Sequence, residues 1–324
     1  METFSSPVNH ASAPSRNPRL VDALIDRCEG AYSRATLKSY RTDLKAFASW
    51  CAEQGEEWLP AKSHTVAAYV DAICPLVTPG TLKRRLSAIG FAQRYSDLPC
   101  PVVASSVTLA IRRAERRKPS RPAQAHGMTR EILTQMMEGC GDDLLGLRDA
   151  ALLSVGYDTL CRSAEICAME VSHVRQGAGE TWSILITRSK ADQSGAGRIA
   201  WLSPETTRRV SAWLEAARIV EGPLFRSVHQ ARPAETPLNA SSVQRLVKRA
   251  AKRAGVSFEV VKGLSGHSMR IGAAQDMMVA GFDSLAIMQA GGWKTQHVLL
   301  RYVENASTRS MHERRWKALA DKAA

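Results

Sequence analysis

The chain has 324 residues, of which 44% are hydrophobic and 23% charged. That is enough apolar material for about two packed domains, and it excludes a natively unfolded chain. The formal net charge is +13. Residues 1–127 carry 18 Lys+Arg against 11 Asp+Glu and the remainder 26 against 20, so both halves are basic and a polyanion partner fits better than a charged tail. A merely basic protein with no such partner is the bland alternative.

The first 19 residues are polar and rich in Pro and Ser, which predicts a disordered arm with no apolar signal region. From Val21 the pattern is helical, with Val21, Leu24, Ile25 and Cys28 on one face. Next, Leu37, Tyr40, Leu44, Phe47 and Cys51 form one apolar stripe at spacings of 3 and 4. A third helix follows Pro60, with Val66, Tyr69, Val70 and Ile73 inward. Thr78-Pro79 opens a fourth, with Leu82, Leu86 and Ile89 inward. A fifth is expected from about Val102, with Val103, Val107, Ala110 and Ala114 inward. Residues 20–117 therefore read as an all-α domain. Lys83, Arg84 and Arg85 are consecutive on its fourth helix and are candidates for a phosphate backbone; a solvated face is the alternative. Residues 118–127 read as a basic, Pro-containing linker, with Arg117, Lys118 and Arg121 as further DNA candidates.

Beyond the linker, Thr129 can cap a helix with Ile132, Leu133, Met136 and Met137 inward. A longer helix carries Leu144, Leu147, Ala151, Leu152 and Val155 and is expected to end at Gly156-Tyr157. Arg162 then stands at the start of a short helix, which the helix dipole disfavours; an ion pair with Glu165 would account for it locally. The period next changes to two. TWSILITR and RIAWL read as an antiparallel hairpin with Lys190 at its tip, where a lysine is most often simply solvated. Ser203-Pro204 starts another helix. In NASSVQRLVKRAAKRAG, Val243, Leu246, Val247 and Ala250 face inward and Arg245, Lys248, Arg249, Lys252 and Arg253 outward. Such a basic amphipathic helix fits a major groove, and Ser241, Gln244, Arg245 and Lys248 are its candidate contacts.

The seven Cys are odd in number and form no Cys-x-x-Cys pair, so they read as reduced thiols rather than a zinc or disulfide framework. No metal-ligand cluster, P-loop or bilayer-length apolar run occurs, so neither a metal, a cofactor nor a membrane is expected.

His267-x-x-Arg270, Trp293 and Tyr302 lie in GHSMRIGAAQDM and IMQAGGWKTQHVLLRY. Together with Arg162, Glu165 and Lys190 they resemble the active-site signature of the tyrosine recombinase (phage integrase) family, and the resemblance covers about residues 30 to 310. It implies a mainly α chain: an all-α core-binding domain, then a mixed α/β catalytic domain (128–324) with a small antiparallel sheet. It implies a site-specific recombinase that joins Tyr302 to a DNA 3′-phosphate and works through a Holliday junction without ATP or metal. The implied partners are double-stranded DNA with inverted-repeat sites and a homotetramer on DNA. That tetramer is held by exchange of a C-terminal helix containing Met311, Trp316 and Leu319; packing of this helix on its own domain is the alternative. The implied location is the cytoplasm of a bacterial, phage or plasmid host, at the nucleoid. An inactive DNA-binding protein of the same fold and a type IB topoisomerase are the rival readings.

Overall fold

The computed structural model describes residues 19–117, 124–177, 181–187 and 197–306, and near the C-terminal end residues 312, 313, 315, 316 and 319. The chain divides into two compact units, Met1–Pro122 and Ala123–Ala324.

The first unit is helical: α1 (Arg19–Asp26), α2 (Arg34–Glu53), α3 (Ser63–Ile73), α4 (Pro79–Arg94) and α5 (Ser105–Arg117). Ser33 and Thr78 cap α2 and α4 by accepting from the amides of Thr36 and Thr81, and Pro79 fits the first turn of α4, where its missing N–H costs nothing. The apolar stripes of all five helices meet in one core around Leu44, Phe47, Cys51, Val66, Val70 and Val107. The fifth helix starts later than its sequence suggests. Pro101–Val103 form a 3-10 turn, and Val103 is 80% exposed rather than inward, because Pro101 sets the turn and α5 begins only at Ser105.

The second unit begins with α6 (Arg130–Glu138), α7 (Leu144–Thr159) and α8 (Ser163–Cys167). Strands β1 (Val174–Gln176), β2 (Trp182–Ile186) and β3 (Arg198–Trp201) form an antiparallel sheet in that order, with Ile184 opposite both Val174 and Ala200. Next come α9 (Pro204–Ala217), the hairpin β4 (Arg226–His229) and β5 (Arg232–Pro237), then α10 (Ala240–Arg253), α11 (Phe258–Gly263), α12 (Ser268–Val279), α13 (Ser284–Gly291) and α14 (Gln296–Val303). The main core gathers Leu152, Val155, Ile184, Val210, Trp213, Val243 and Leu246, with the Trp213 indole donating to the Leu224 carbonyl at 2.8 Å.

Two expectations need correction here, and one element was not expected. The helix expected to stop at Gly156-Tyr157 runs through to Thr159 and ends where Leu160 turns left-handed at φ 51°. Gly156 is a packing glycine, since a Cβ there would lie 2.3 Å from Met269 Sδ. The β4–β5 hairpin has no counterpart in the sequence reading. Its turn residues Gln230 and Ala231 take positive φ without Gly or Asn, and Pro233 and Pro237 lie in its second strand, so the usual hairpin signals are missing. Arg249 does not simply face outward from α10, since it reaches the buried Asp149 of α7 at 2.5 Å.

Candidate active site

The site is assembled at the C-terminal end of α7. The left-handed Leu160 turns the chain so that Arg162 becomes the N-cap of α8. The conflict between Arg162 and the helix dipole is resolved locally. Glu165 accepts from the Arg162 backbone amide at 2.9 Å and from its guanidinium at 2.6 Å, and Glu165 itself is buried. Ser163 donates to the Gly266 carbonyl at 2.9 Å, and a Cβ on Gly266 would lie 2.4 Å from the Ser163 hydroxyl. This contact needs a glycine, and it brings the next residue, His267, beside Arg162. The protein packed around His267, and then the charges of Arg162 and Arg270, push its pKa below the usual imidazole value, with Glu165 opposing. His267 is solvent-exposed, and the lowered pKa favours its neutral form.

Arg270 lies in α12 and is fully buried. One of its Nη atoms donates to the Leu160 carbonyl. Its guanidinium carbon sits 4.0 Å from the centre of the Trp293 ring and 5.3 Å from that of Tyr302. The two rings lie 4.8 Å apart. Trp293 can fold back against its own chain because Gly291 precedes it; a Cβ there would lie 2.1 Å from the indole. Among the described residues, three buried donors here, Arg270 Nε, Arg270 Nη2 and Trp293 Nε1, have no partner at hydrogen-bond distance, although Tyr302 and Glu165 lie close enough to favour the charge on Arg270. A buried cation with no carboxylate in hydrogen-bond contact costs several kcal/mol, of which stacking on an aromatic face returns about 2 kcal/mol or more. Donors arranged in this way can accept an oxyanion.

The helix carrying Tyr302 is tied down from two directions. Gln275 of α12 donates to the Tyr302 carbonyl at 3.4 Å. Gln124 donates to the same oxygen at 3.3 Å and to the Arg301 carbonyl, and Asn305 donates to Gln124 at 2.9 Å. Gln124, Ser163 and Gln275 bond to backbone carbonyls of this region, and nothing in the sequence marks them, because each carbonyl lies far away in the chain. Lys190 lies outside the described residues.

The remaining candidates divide. Arg84 makes two hydrogen bonds, at 2.7 and 2.9 Å, to Asp43, a carboxylate buried in the first unit. Arg85 donates to the Tyr69 hydroxyl at 3.0 Å and lies 3.8 Å from Asp43, while Lys83 pairs with Glu115 at 3.0 Å. The charge run thus has partners within its own unit, and Arg84 and Arg85 hold a buried acid. Arg117 is exposed at the end of α5; Lys118 and Arg121 lie outside the described residues. On α10, Ser241, Gln244 and Arg245 are exposed, and Lys248 donates to the Lys262 carbonyl at 3.0 Å. The Gln244 backbone lies 3.8 Å from where a Gly266 Cβ would be, so α10 runs beside His267. Trp316 and Leu319 are exposed, and Met311 lies outside the described residues. Among the described residues no His, Cys, Asp and Glu group could hold a metal ion, no helix is long and apolar enough to cross a membrane, and all seven Cys are free.

Comparison with known proteins accounts for this arrangement. Residues 126–309 match the model of the phage integrase family, and residues 26–93 match its N-terminal SAM-like domain. The chain is 30% identical over 320 residues to recombinase Cre of Escherichia phage P1, covering 92% of this chain and 91% of Cre. It is 28% identical to an integrase/recombinase XerD homologue of Selenomonas ruminantium, covering 90% and 87% of the two chains. Among solved structures, it shares the fold of the XerH site-specific recombinase bound to a palindromic difH substrate, with TM-score 0.66 at 14% identity over 90% of this chain and 82% of that one. It also shares the fold of a lambda integrase dimer bound to a COC' core site, with TM-score 0.61 at 16% identity over 90% and 95%. The chain belongs to the phage integrase family and is a tyrosine recombinase.

Proposed function

We propose that this recombinase breaks and rejoins double-stranded DNA through a 3′-phosphotyrosyl bond to Tyr302. The observation that carries the reading is the set of unpaired buried donors on Arg270 and Trp293 stacked against the Tyr302 ring. A phosphodiester is a poor electrophile because its oxygens are anionic, so catalysis rests on positioning and charge stabilisation. Arg270 and Arg162 grip the non-bridging oxygens with guanidinium forks, and the Trp293 indole adds one donor. The Tyr302 oxygen attacks phosphorus while its proton passes to His267, whose lowered pKa leaves it neutral and able to accept. Glu165 holds Arg162 in place. The bond from phosphorus to the 5′-oxygen breaks, and that oxygen takes a proton from Lys190, a role assigned by the family resemblance.

The new bond keeps the energy of the phosphodiester, so a second strand's 5′-hydroxyl can reverse the step without ATP or a metal. Two such exchanges pass through a Holliday junction in a Cre-like course. Inverted-repeat sites follow from two-fold related subunits, with Ser241, Gln244, Arg245 and Lys248 of α10 facing the duplex. A homotetramer formed by exchange of the C-terminal helix draws support from complementary apolar surfaces. Phe282, Ile287, Leu299, Leu300 and Val303 line an open groove of about 310 Å³, and Trp316 and Leu319 are exposed.

The test uses a duplex that the full-length chain selects from random-sequence DNA, nicked at a series of positions so that the released 5′-hydroxyl fragment diffuses away. A covalent protein–DNA adduct is expected, and its loss in Tyr302→Phe assigns the nucleophile. An adduct that survives this change overturns the assignment. Binding without any adduct favours an inactive DNA-binding protein.

A further inference from the structure

Arg198 opens β3 and is half-buried. Its Nη1 donates to the Ala290 carbonyl at 2.8 Å and its Nη2 to the Thr159 carbonyl at 2.6 Å, with Cys161 Sγ at 3.4 Å. These two acceptors lie at the C-terminal ends of α7 and α13. Each end carries the negative pole of its helix, and the Arg198 guanidinium lies between them, where a cation is most favourable. The close approach also requires a glycine. Gly292 follows α13 at φ 66°, and a Cβ there would lie 3.2 Å from Arg198 Cδ and Nε.

The two carbonyls have distinct neighbours in the site. Thr159 stands three residues before Arg162, and the next carbonyl, of Leu160, holds Arg270. Ala290 stands three residues before Trp293. One guanidinium therefore joins the segment that presents Arg162 and anchors Arg270 to the segment that presents Trp293. No carboxylate pairs with Arg198 among the described residues. A lysine cannot take its place, because a single ammonium does not span two acceptors with the fixed fork of a guanidinium.

We propose that Arg198 is a positioning residue for strand cleavage, setting the distance between the two arginines and Trp293 so that all three reach one phosphate. The inference rests on the phosphotyrosyl reading above. It assigns Arg198 no contact with DNA or with the reacting atoms.

The experiment measures single-turnover adduct formation on the nicked duplex at saturating protein, with duplex affinity and the thermal midpoint measured in parallel. Arg198→Lys is expected to cleave about 10²-fold more slowly, the size of effect a 1 Å misplacement produces. Its affinity is expected to stay within about twofold of wild type, which separates positioning from binding. In Arg198→Ala, added ethylguanidinium is expected to restore the rate saturably. Wild-type cleavage by Arg198→Lys overturns the inference. So does a rate that falls only in step with the folded fraction, since Arg198 would then be a strut. Failure of the wild-type protein to form a Tyr302 adduct overturns the phosphotyrosyl reading and this inference with it. Normal wild-type cleavage with an unaffected Arg198→Lys overturns this inference alone.

Discussion

The two ends of α7 treat buried arginines in opposite ways. Near the start of the helix, Arg148 and Asp149 are both buried, and their polar atoms are matched. Asp149 accepts from Arg148 at 2.7 and 2.8 Å and from Arg249 of α10 at 2.5 Å, and the remaining Arg148 nitrogen donates to the Arg226 carbonyl at 3.1 Å. At the other end, Arg270 is buried more completely; one of its nitrogens donates to the Leu160 carbonyl, Tyr302 lies near, and among the described residues Nε and Nη2 have no partner at hydrogen-bond distance. Burial weakens the hold of Arg270 on its proton, a direction that the neighbouring Arg162 reinforces. The Arg148–Asp149 pair is matched within the protein, leaving only Nε of the neighbouring Arg249 without a partner, whereas Arg270 has two such nitrogens. An unpaired buried charge is costly, so under the proposed function the same residue type serves architecture at one end and chemistry at the other.

The largest expected effect breaks the matched pair. Asp149→Ala leaves two guanidiniums facing a cavity and is expected to lower stability by about 3–5 kcal/mol, read from a denaturant midpoint. Cleavage should then fall only as far as the folded fraction does. A small loss of stability would show that Asp149 is dispensable. Arg270→Met should do the reverse. It removes an unpaired charge, so the DNA-free protein should be as stable as wild type or more so, while adduct formation falls about 10²–10³-fold. A destabilised Arg270→Met would mean that Arg270 has a structural role like that of Arg148. Trp293→Phe keeps a ring against Arg270 and deletes one N–H. Adduct formation is expected to fall about 10²-fold with affinity nearly unchanged, and an unchanged rate would remove the indole from the site.

The smallest effect concerns His267 and sharpens the comparison without breaking it. Its pKa is lowered, so the imidazole stays neutral as pH falls past the usual histidine value and gains its proton only further down. In that interval the unfolded chain binds the proton and the folded one does not. Stability contributed by this site is therefore present above the usual value and lost as pH falls through the folded one. Arg162→Ala should move the pKa of His267 upward, as followed by its NMR titration, because the charge of Arg162 opposes the imidazolium. An unchanged or lower pKa would show that the charge of Arg162 does not act on the imidazole.

Periodicity made most of the architecture legible. Leu37, Leu44, Phe47 and Cys51, and later Val243, Leu246 and Val247, are buried on the faces their spacing predicts, because a helix must bury one stripe. The hairpin of β2 and β3 was legible for the same kind of reason, with Ile184 and Ile186 inward at period two. What escaped was whatever depends on distant neighbours. Gly156 looked like a terminator, but Met269, more than a hundred residues away, needs its space. Lys83, Arg84 and Arg85 read as candidates for a phosphate backbone, and their spacing held no sign that Asp43 and Glu115 engage them. Hydropathy carries no information about partners of that kind.

Taken alone, the order of Arg162, His267, Arg270, Trp293 and Tyr302 and the residues around them carried the resemblance to the family to which the chain belongs. Tertiary structure alone decided which arginines are already paired, that Trp293 and Tyr302 stack beside Arg270, and that Arg198, Gln124 and Gln275 bond to backbone carbonyls of this region. The physical reason is that a carbonyl is present at every position. A bond to one leaves no mark on the sequence, and only the fold selects which carbonyl is reached.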